Sequence, residues 1–175
     1  MKGVEIIGGN LLDFPNEINA IAHSCNTLNI MGGGIAKQIK DRFPQAYEAD
    51  TKFHARREIV FPRSSRIDPL GKYSKAKFKS MFLKNATGTI YNLYTQANIG
   101  VHERQVDYEA FWKALKGMQE DLLFVQHETG ATQILGLPHG ISCGLAGGSW
   151  KIIKAMIEDI FLDSLIKTYI VKYVK

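Results

Sequence analysis

Cysteine is scarce in this sequence, since its 175 residues include only Cys25 and Cys143. The first residues, MKGVEIIGGN, also lack the apolar core and the small-residue cleavage site of a signal peptide. Two free thiols in a reducing compartment therefore fit better than a disulfide, and we expect a cytoplasmic protein. Because the two cysteines lack the companion ligands of a zinc site, we expect no metal and no cofactor.

Long apolar segments are missing as well. No run approaches the roughly 20 apolar residues that a membrane-spanning helix needs, so no membrane partner is expected. Hydrophobic residues make up 45% of the chain and charged residues 22%, which is typical of a globular protein. This length suits one domain with its own core, and no linker divides it. We therefore predict a single domain over residues 1–175.

The charge is moderately basic, with 22 Lys and Arg against 17 Asp and Glu, a net charge of +5. Basic residues are dense in segment 52–84, and such a segment can attract nucleic acid. No nucleic-acid-binding motif accompanies this charge, so we favour a solvated surface. Nucleic-acid binding through segment 52–84 stays as the weaker alternative. The sequence does not indicate an oligomeric state.

The hydrophobic pattern predicts strands and helices that alternate along the chain. Strands are expected at 4–7, 20–23, 58–62, 89–95, 133–137 and 165–174, the last with alternating burial. Helices are expected at 35–43, 44–57, 108–124 and 150–161, with Asp107 and Ser149 as caps of the last two. Segment 63–80 has little pattern and is expected to be a surface loop. The alternation predicts an α/β sandwich with a largely parallel sheet and helices on both faces.

Two glycine-rich segments each follow a predicted strand and lead into a helix. They are residues 23–34, HSCNTLNIMGGG, and residues 138–148, PHGISCGLAGG. In α/β sheets, ligands bind at the carboxyl ends of the strands, and glycine allows close backbone approach. Helix N-termini also favour anions. The pair of loops therefore fits a ligand with two linked phosphates, although neither loop matches a dinucleotide or nucleoside-triphosphate motif.

Four segments in this order, GGNLLDFP, AIAHSCNTLNIMGGGIAKQIKDRFPQAY, NLYTQ and LPHGISCGLAGGSW, resemble a macro domain, the ADP-ribose-binding module. The resemblance covers nearly the whole chain, from residue 8 to residue 150 and through the last helix and strand. The chain is most similar to stand-alone macro domains, which include ADP-ribose-1″-phosphate phosphatases, terminal ADP-ribose glutamate hydrolases and bacteriophage relatives. The resemblance implies a three-layer α/β/α sandwich with a mixed sheet of about six strands and ADP-ribose across the strand ends.

The resemblance also implies a set of ligand contacts. Asn10 stands where the family has an acidic residue that contacts adenine, and an amide can both accept from the base and donate to it. Leu11 is expected near the phosphates through its backbone, and Asn26 is expected to hold the distal ribose. The other expected contacts are Gly9, Met31, Gly32, Gly33, Gly34, Ile35, Ser142, Cys143, Gly144, Leu145, Ala146 and Gly147.

Three residues are candidates for hydrolysis of a 1″-phosphate. His23 and His139 adjoin the two loops, and histidine titrates near neutrality, while Asn26 would orient the ribose or a water molecule. The sequence leaves a structural alternative open for each histidine: His23 as a buried strand-end residue and His139 as a solvent-facing loop residue. Cys143 would be a nucleophile only if its pKa were lowered, and a space-filling role is favoured.

The resemblance argues against one activity of the family. Gln96 and Ala146 stand where the glutamate hydrolases have their lysine nucleophile and catalytic aspartate, and neither residue can replace them. This departure favours a non-catalytic ADP-ribose reader. Retention of His23 and Asn26, and a chain with no attached domain, favour an enzyme. The leading hypothesis is an ADP-ribose-1″-phosphate phosphatase, with an O-acetyl-ADP-ribose deacetylase as a related possibility.

Overall fold

A computed structural model describes residues 3–60, 63–66, 68–79 and 87–174. The predicted strand 58–62 corresponds to β3 (Arg57–Val60), which pairs antiparallel with β4 (Arg63–Arg66) in a two-stranded sheet. Residues 61–62 of that prediction and residues 80–84 of the basic segment lie outside the described residues.

A six-stranded mixed sheet forms the centre of the fold. Its order is β1-β8-β7-β2-β6-β5, and every neighbouring pair is parallel except β5 and β6. The predicted largely parallel sheet of about six strands is therefore confirmed. The strands are β1 (Val4–Gly9), β2 (Ala20–Asn26), β5 (Tyr73–Lys79), β6 (Thr87–Gln96), β7 (Ile134–Pro138) and β8 (Lys167–Tyr173).

Helices cover both faces of this sheet and complete the predicted three layers. On one face, α1 (Gly34–Arg42) and α2 (Pro44–His54) contribute Ile39 and Ala46 to a buried cluster, together with Phe43 between the two helices. On the other face, α3 (Tyr108–Thr129) and α4 (Trp150–Phe161) pack their apolar stripes on the sheet. A short 3-10 helix, Leu11–Asp13, follows β1. Within the described part of the chain, no helix has both the length and the apolar character needed to cross a membrane.

Two expectations about strands were wrong. Segment 63–80 is not a loop, because it contains β4 and β5. The inward positions of β5 are Ser74, Ala76 and Phe78, with exposed lysines between them, so small and polar inward residues weaken the alternating signal. Lysines suit its position at the edge of the sheet, where they oppose pairing with another chain. β8 does not alternate, because it lies between β1 and β7 and is buried on both faces from Thr168 to Val171.

The register of β2 positions the site. β2 pairs with β6 along its whole length to Asn26, but it pairs with β7 only at Ala20 and Ile21. Beyond Ile21 the two parallel neighbours therefore separate, and their carboxyl ends enclose a cleft. Clefts of this kind are where open α/β sheets bind ligands.

The predicted N-cap of α3 can be tested by substitution. Asp107 Oδ1 accepts a hydrogen bond of 2.9 Å from the backbone N–H of Ala110, as expected for an N-cap. Asp107→Ala should lower the free energy of unfolding by about 1 kcal/mol, while Asp107→Asn should retain most of it. Urea denaturation of the two variants measures the difference, and an equal loss in both would contradict the capping role.

Candidate functional site

A cavity of about 610 Å³ lies at the carboxyl ends of β2 and β7. Its walls come from three segments: the end of β2 with the start of α1, the loop after β6, and the loop between β7 and α4. We call the first of these the β2–α1 loop (residues 24–36) and the last the β7–α4 loop (residues 138–148). Both loops predicted from their glycines therefore meet at one cavity.

The cavity includes many of the predicted site residues and omits others. Lining residues that were predicted are Asn26, Gly32, Gly33, Gly34, Ile35, His139, Ser142, Gly144, Leu145 and Ala146. Predicted residues outside the lining are Gly9, Asn10, Leu11, His23, Met31, Cys143 and Gly147. Lining residues absent from the predicted set are Ser24, Cys25, Ile30, Ala36, Gln96, Ile99, Gly100, Val101, Pro138, Gly140 and Ile141. The loop after β6 follows a central parallel strand, and that position alone could have pointed to it.

The glycines of the β2–α1 loop are more numerous than its backbone requires. Only Gly34 has a positive φ, +56°, whereas Gly33 is extended with φ −149° and ψ 168°. A Cβ on Gly32 would meet nothing closer than 3.6 Å, and one on Gly33 would meet the tip of exposed Leu145 at 3.3 Å. Neither backbone conformation nor packing therefore requires glycine at 32 and 33. Their effect is to keep this wall of the cavity free of side chains.

Backbone N–H groups supply donors on the same wall. α1 begins at Gly34, and its cap residue Gly33 has no side chain to occupy the first N–H groups. The N–H groups of Gly34, Ile35 and Ala36 have no acceptor within the helix, because the first turn lacks preceding carbonyls. These donors lie at the positive end of the helix dipole, which favours an anion.

The β7–α4 loop supplies a second set of donors. It is folded on itself, since Cys143 N–H donates to Gly140 O at 2.9 Å and Gly148 N–H donates to Ser142 O at 2.8 Å. Among the described residues, no acceptor pairs with five other N–H groups of this loop, all on cavity-lining residues. They belong to Gly140, Ser142, Gly144, Leu145 and Ala146.

Charged side chains do not contribute to the described lining of the cavity, which contains no Asp, Glu, Lys or Arg. His139 supplies its one imidazole, which is exposed and packs on Trp150 with the ring centroids 4.6 Å apart. Gln96 and Ala146, the two departures from the glutamate hydrolases, both line the cavity. An anion here would be held by main-chain dipoles rather than by ion pairs.

Asn26 uses its side chain to shape the loop that follows it. Its Oδ1 accepts from the N–H groups of Leu28 at 3.0 Å and Ile30 at 3.2 Å, and its Nδ2 donates to Ile30 O at 2.7 Å. Contact between Asn26 and a ribose therefore stays a prediction. Asn10 likewise caps the 3-10 helix, where its Oδ1 accepts from Leu12 N–H at 3.1 Å.

His23 lies beneath the cavity rather than in it. Its side chain is fully buried, and its Nε2 is 2.8 Å from Asn92 Oδ1. Asn92 donates through Nδ2 to Ala46 O and Ser74 Oγ, so its Oδ1 is left to accept from the Nε2–H of a neutral imidazole. Burial lowers the pKa of His23 to about 4. The geometry matches the structural alternative for His23 and gives its catalytic role no support.

Both cysteines are free thiols, and the described surroundings of each raise its pKa. Burial raises the pKa of Cys143, whose Sγ lies 3.3 Å from Ile141 O. Burial also raises the pKa of Cys25 well above its usual value, and its Sγ is 3.6 Å from His23 Nε2. Because a raised pKa keeps the thiol protonated, neither cysteine has the character of a nucleophile.

Known proteins resemble this chain over nearly its full length, although no known family profile matches it. An uncharacterized 17.5 kDa protein from the tk-vs intergenic region of Enterobacteria phage T4 is 26% identical over 155 residues, which covers 89% of this chain and 88% of that protein. An ADP-ribose 1″-phosphate phosphatase of Aspergillus oryzae is 24% identical over 188 residues, which covers 93% of this chain and 92% of that protein.

Solved structures share the three-layer sandwich. The macrodomain of Thermus aquaticus DarG has a TM-score of 0.62 at 19% identity and covers 98% of each chain. Thermosipho africanus DarTG in complex with ADP-ribose has a TM-score of 0.71 at 19% identity and covers 98% of this chain and 42% of that one.

The buried imidazole beneath the cavity predicts a pH-dependent stability. The pKa of His23 is about 4 in the folded state and 6.5 for an unperturbed histidine, so the unfolded state binds more protons as the pH falls below 6.5. Stability should be lost between these values, by about 3 kcal/mol at pH 4, since each pKa unit is worth about 1.4 kcal/mol. Urea denaturation from pH 7 to pH 4 measures this loss.

Variants separate the contribution of His23 from that of other titrating groups. His23→Gln should lower stability at pH 7 but flatten its dependence on pH, because glutamine does not titrate. The matched control is His127→Gln, whose native side chain is 84% exposed and should not alter the slope. A slope in His23→Gln equal to that of the unaltered protein would show that His23 is not the group responsible.

Proposed function

We propose, from the macrodomain fold of this chain and its similarity to the fungal phosphatase, that it binds ADP-ribose and hydrolyses ADP-ribose-1″-phosphate to ADP-ribose and phosphate. One observation carries the binding part. Two sets of backbone N–H groups without a described acceptor, one at the start of α1 and one in the β7–α4 loop, belong to residues that line a single cavity with no carboxylate among its described residues. A diphosphate is the ligand that such a pair of main-chain donor sets suits best.

The size of the cavity supports the same ligand. About 610 Å³ lies within the range of small-molecule sites and holds a dinucleotide-sized ligand rather than a single phosphate. Apolar residues such as Ile35 and Ile141 line it beside the donors and would exclude water from the diphosphate. The distal ribose would lie near the loop that Asn26 organises.

The proposed reaction breaks the bond between phosphorus and the 1″-oxygen. Water adds to phosphorus, the 1″-oxygen leaves with the electron pair of the broken bond, and a proton is delivered to that oxygen. Backbone N–H groups stabilise the charge on the phosphoryl oxygens. His139 is the described side chain of the cavity best suited to transfer the proton, because its imidazole has one nitrogen that can donate a proton and one that can accept it.

Calorimetry and a phosphate-release assay test the two parts separately. ADP-ribose titrated into the protein should bind with a 1:1 stoichiometry, and ADP-ribose-1″-phosphate should release inorganic phosphate. The absence of binding heat would overturn the proposed ligand. Binding without release would overturn the phosphatase and support the reader. Acetate release from O-acetyl-ADP-ribose would identify the deacetylase.

His139→Gln tests the catalytic role. Removal of the imidazole should lower phosphate release by about a hundredfold or more, in line with the loss of a general acid, while ADP-ribose affinity changes little. His127→Gln, on the exposed end of α3, is the control and should not alter release. Unchanged release in His139→Gln would remove this residue from the mechanism.

Gly33→Val tests the role of the glycine wall. Valine suits the extended backbone at this position, so the fold should be retained, but its side chain would lie against Leu145 and occupy the cleft. ADP-ribose affinity should fall by at least about a hundredfold, equivalent to about 2.7 kcal/mol. Gly8→Val in β1, outside the cavity, is the control. Equal affinity of both variants would show that this wall does not contact the ligand.

A non-catalytic reader is the second candidate, and one observation favours it. The described cavity lining offers a single imidazole and no carboxylate, and the Asn26 side chain makes its hydrogen bonds within its own loop. A site that only binds needs no more than the main-chain donors. The two assays above separate this candidate from the enzyme.

A further inference from the structure

A side-chain hydrogen bond spans the floor of the cleft. Ser24 Oγ, near the end of β2, is 2.5 Å from Ser142 Oγ in the β7–α4 loop. Both residues line the cavity, and 118 residues separate them in sequence. Because β2 and β7 pair only at Ala20 and Ile21, no ladder connects the two strands at this level. The serine pair therefore ties together two segments that the sheet itself leaves apart.

Ser142 occupies a demanding position in its loop. Its φ is +60°, a left-handed conformation that few residues other than glycine adopt without support. Its carbonyl accepts from Gly148 N–H at 2.8 Å, and a Cβ on Gly148 would lie 2.5 Å from that carbonyl oxygen. The backbone around Ser142 is therefore closely packed against the end of the loop. A shift at Ser142 would re-aim the neighbouring N–H groups.

The direction of those N–H groups matters more here than in most anion sites. Since no charged side chain contributes to the described lining, attraction for an anion depends on how well the main-chain dipoles point at it. The N–H groups of Gly144, Leu145 and Ala146 lie two to four residues after Ser142 in the chain. A contact that holds the backbone of Ser142 in place therefore also influences the direction of these N–H groups.

We propose that Ser24 is a positioning residue, which acts through Ser142 to hold the β7–α4 loop in its anion-binding conformation. The inference rests on the proposed function, since the anion concerned is the diphosphate of ADP-ribose. The two serine hydroxyls together have two protons to donate, which is enough for this role. One of the two protons forms the bond between the serines, and the other is free to be donated to a phosphate oxygen.

Affinity for ADP-ribose gives the first test. Ser24→Ala should weaken binding by about five- to tenfold, the loss expected for one hydrogen bond, whereas Ser24→Thr should restore it. Ser24→Ala should have almost no further effect in a Ser142→Ala background, because the two residues act as one unit. Ser149→Ala is the matched control, since Ser149 is exposed and caps α4 without a side-chain bond. Additive losses from Ser24→Ala and Ser142→Ala would overturn the proposal.

Hydrogen–deuterium exchange of the protein without ligand gives a test that does not depend on ADP-ribose. Ser24→Ala should speed exchange of the hydrogen-bonded N–H groups of Cys143, Gly147 and Gly148 by about five- to tenfold, in proportion to the lost bond, and leave β2 itself protected. Ser24→Thr and Ser149→Ala should exchange like the unaltered protein. Unchanged exchange in Ser24→Ala would overturn the link between the serines.

The two readouts together separate the inference from the proposed function. If the unaltered protein binds no ADP-ribose, the proposed function fails, while the exchange rates still show whether Ser24 holds the loop. If the loop loosens in Ser24→Ala and affinity for ADP-ribose is unchanged, the positioning role is overturned although binding stands. Faster exchange together with weaker binding, both restored by threonine, is the result that supports the proposal.

Discussion

The separation of β2 from β7 is the constraint on which the site depends. Two parallel strands that pair at Ala20 and Ile21 and then part leave their following loops on opposite sides of one cleft. Each loop brings to that cleft N–H groups that have no acceptor among the described residues, one set from the start of α1 and one from the turn after β7. Because main-chain donors move with the backbone, the sheet register decides where they meet. Side-chain hydrogen bonds, such as the one between Ser24 and Ser142, then add contacts between segments that the sheet register has brought together.

Beneath the cleft lies a buried polar layer that holds His23, one of the predicted catalytic residues, outside the cavity lining. His23 bonds to Asn92, Asn92 to Ser74, and Ser74 to Tyr94, whose hydroxyl donates to Asp50 at 2.8 Å. Burial lowers the pKa of His23 and raises that of Asp50. A chain of satisfied hydrogen bonds makes such burial tolerable and gives the centre of the sheet a specific arrangement. His23 therefore supports the floor of the site instead of facing its ligand.

Much of the architecture could be predicted from the sequence, for physical reasons that differ between elements. The apolar stripe of α3 and its Asp107 cap are local signals, and the helix begins where they place it. The segments that resemble macro domains predicted the sheet and the layers, and the solved structures confirm that resemblance. β5 was missed because Ser74 and Ala76 are weak inward signals at a sheet edge, where burial is decided by a neighbour. β8 was expected to alternate because its two flanking strands cannot be known from its own residues.

Two of the three segments that line the cavity could be predicted from the sequence alone, since clusters of glycine after predicted strands are visible locally, whereas the loop after β6 was missed. The sequence also led to the prediction that the glutamate-hydrolase chemistry is missing, because glutamine and alanine, at positions 96 and 146, cannot act as a nucleophile or an acid. Only the tertiary structure decided that His23 is buried, that Asn26 is occupied by Leu28 and Ile30, and that Ser24 reaches Ser142. The physical reason is that a side chain's partners depend on contacts between distant segments. The direction in which a strand residue points follows from the sheet register, which no single stretch of sequence contains.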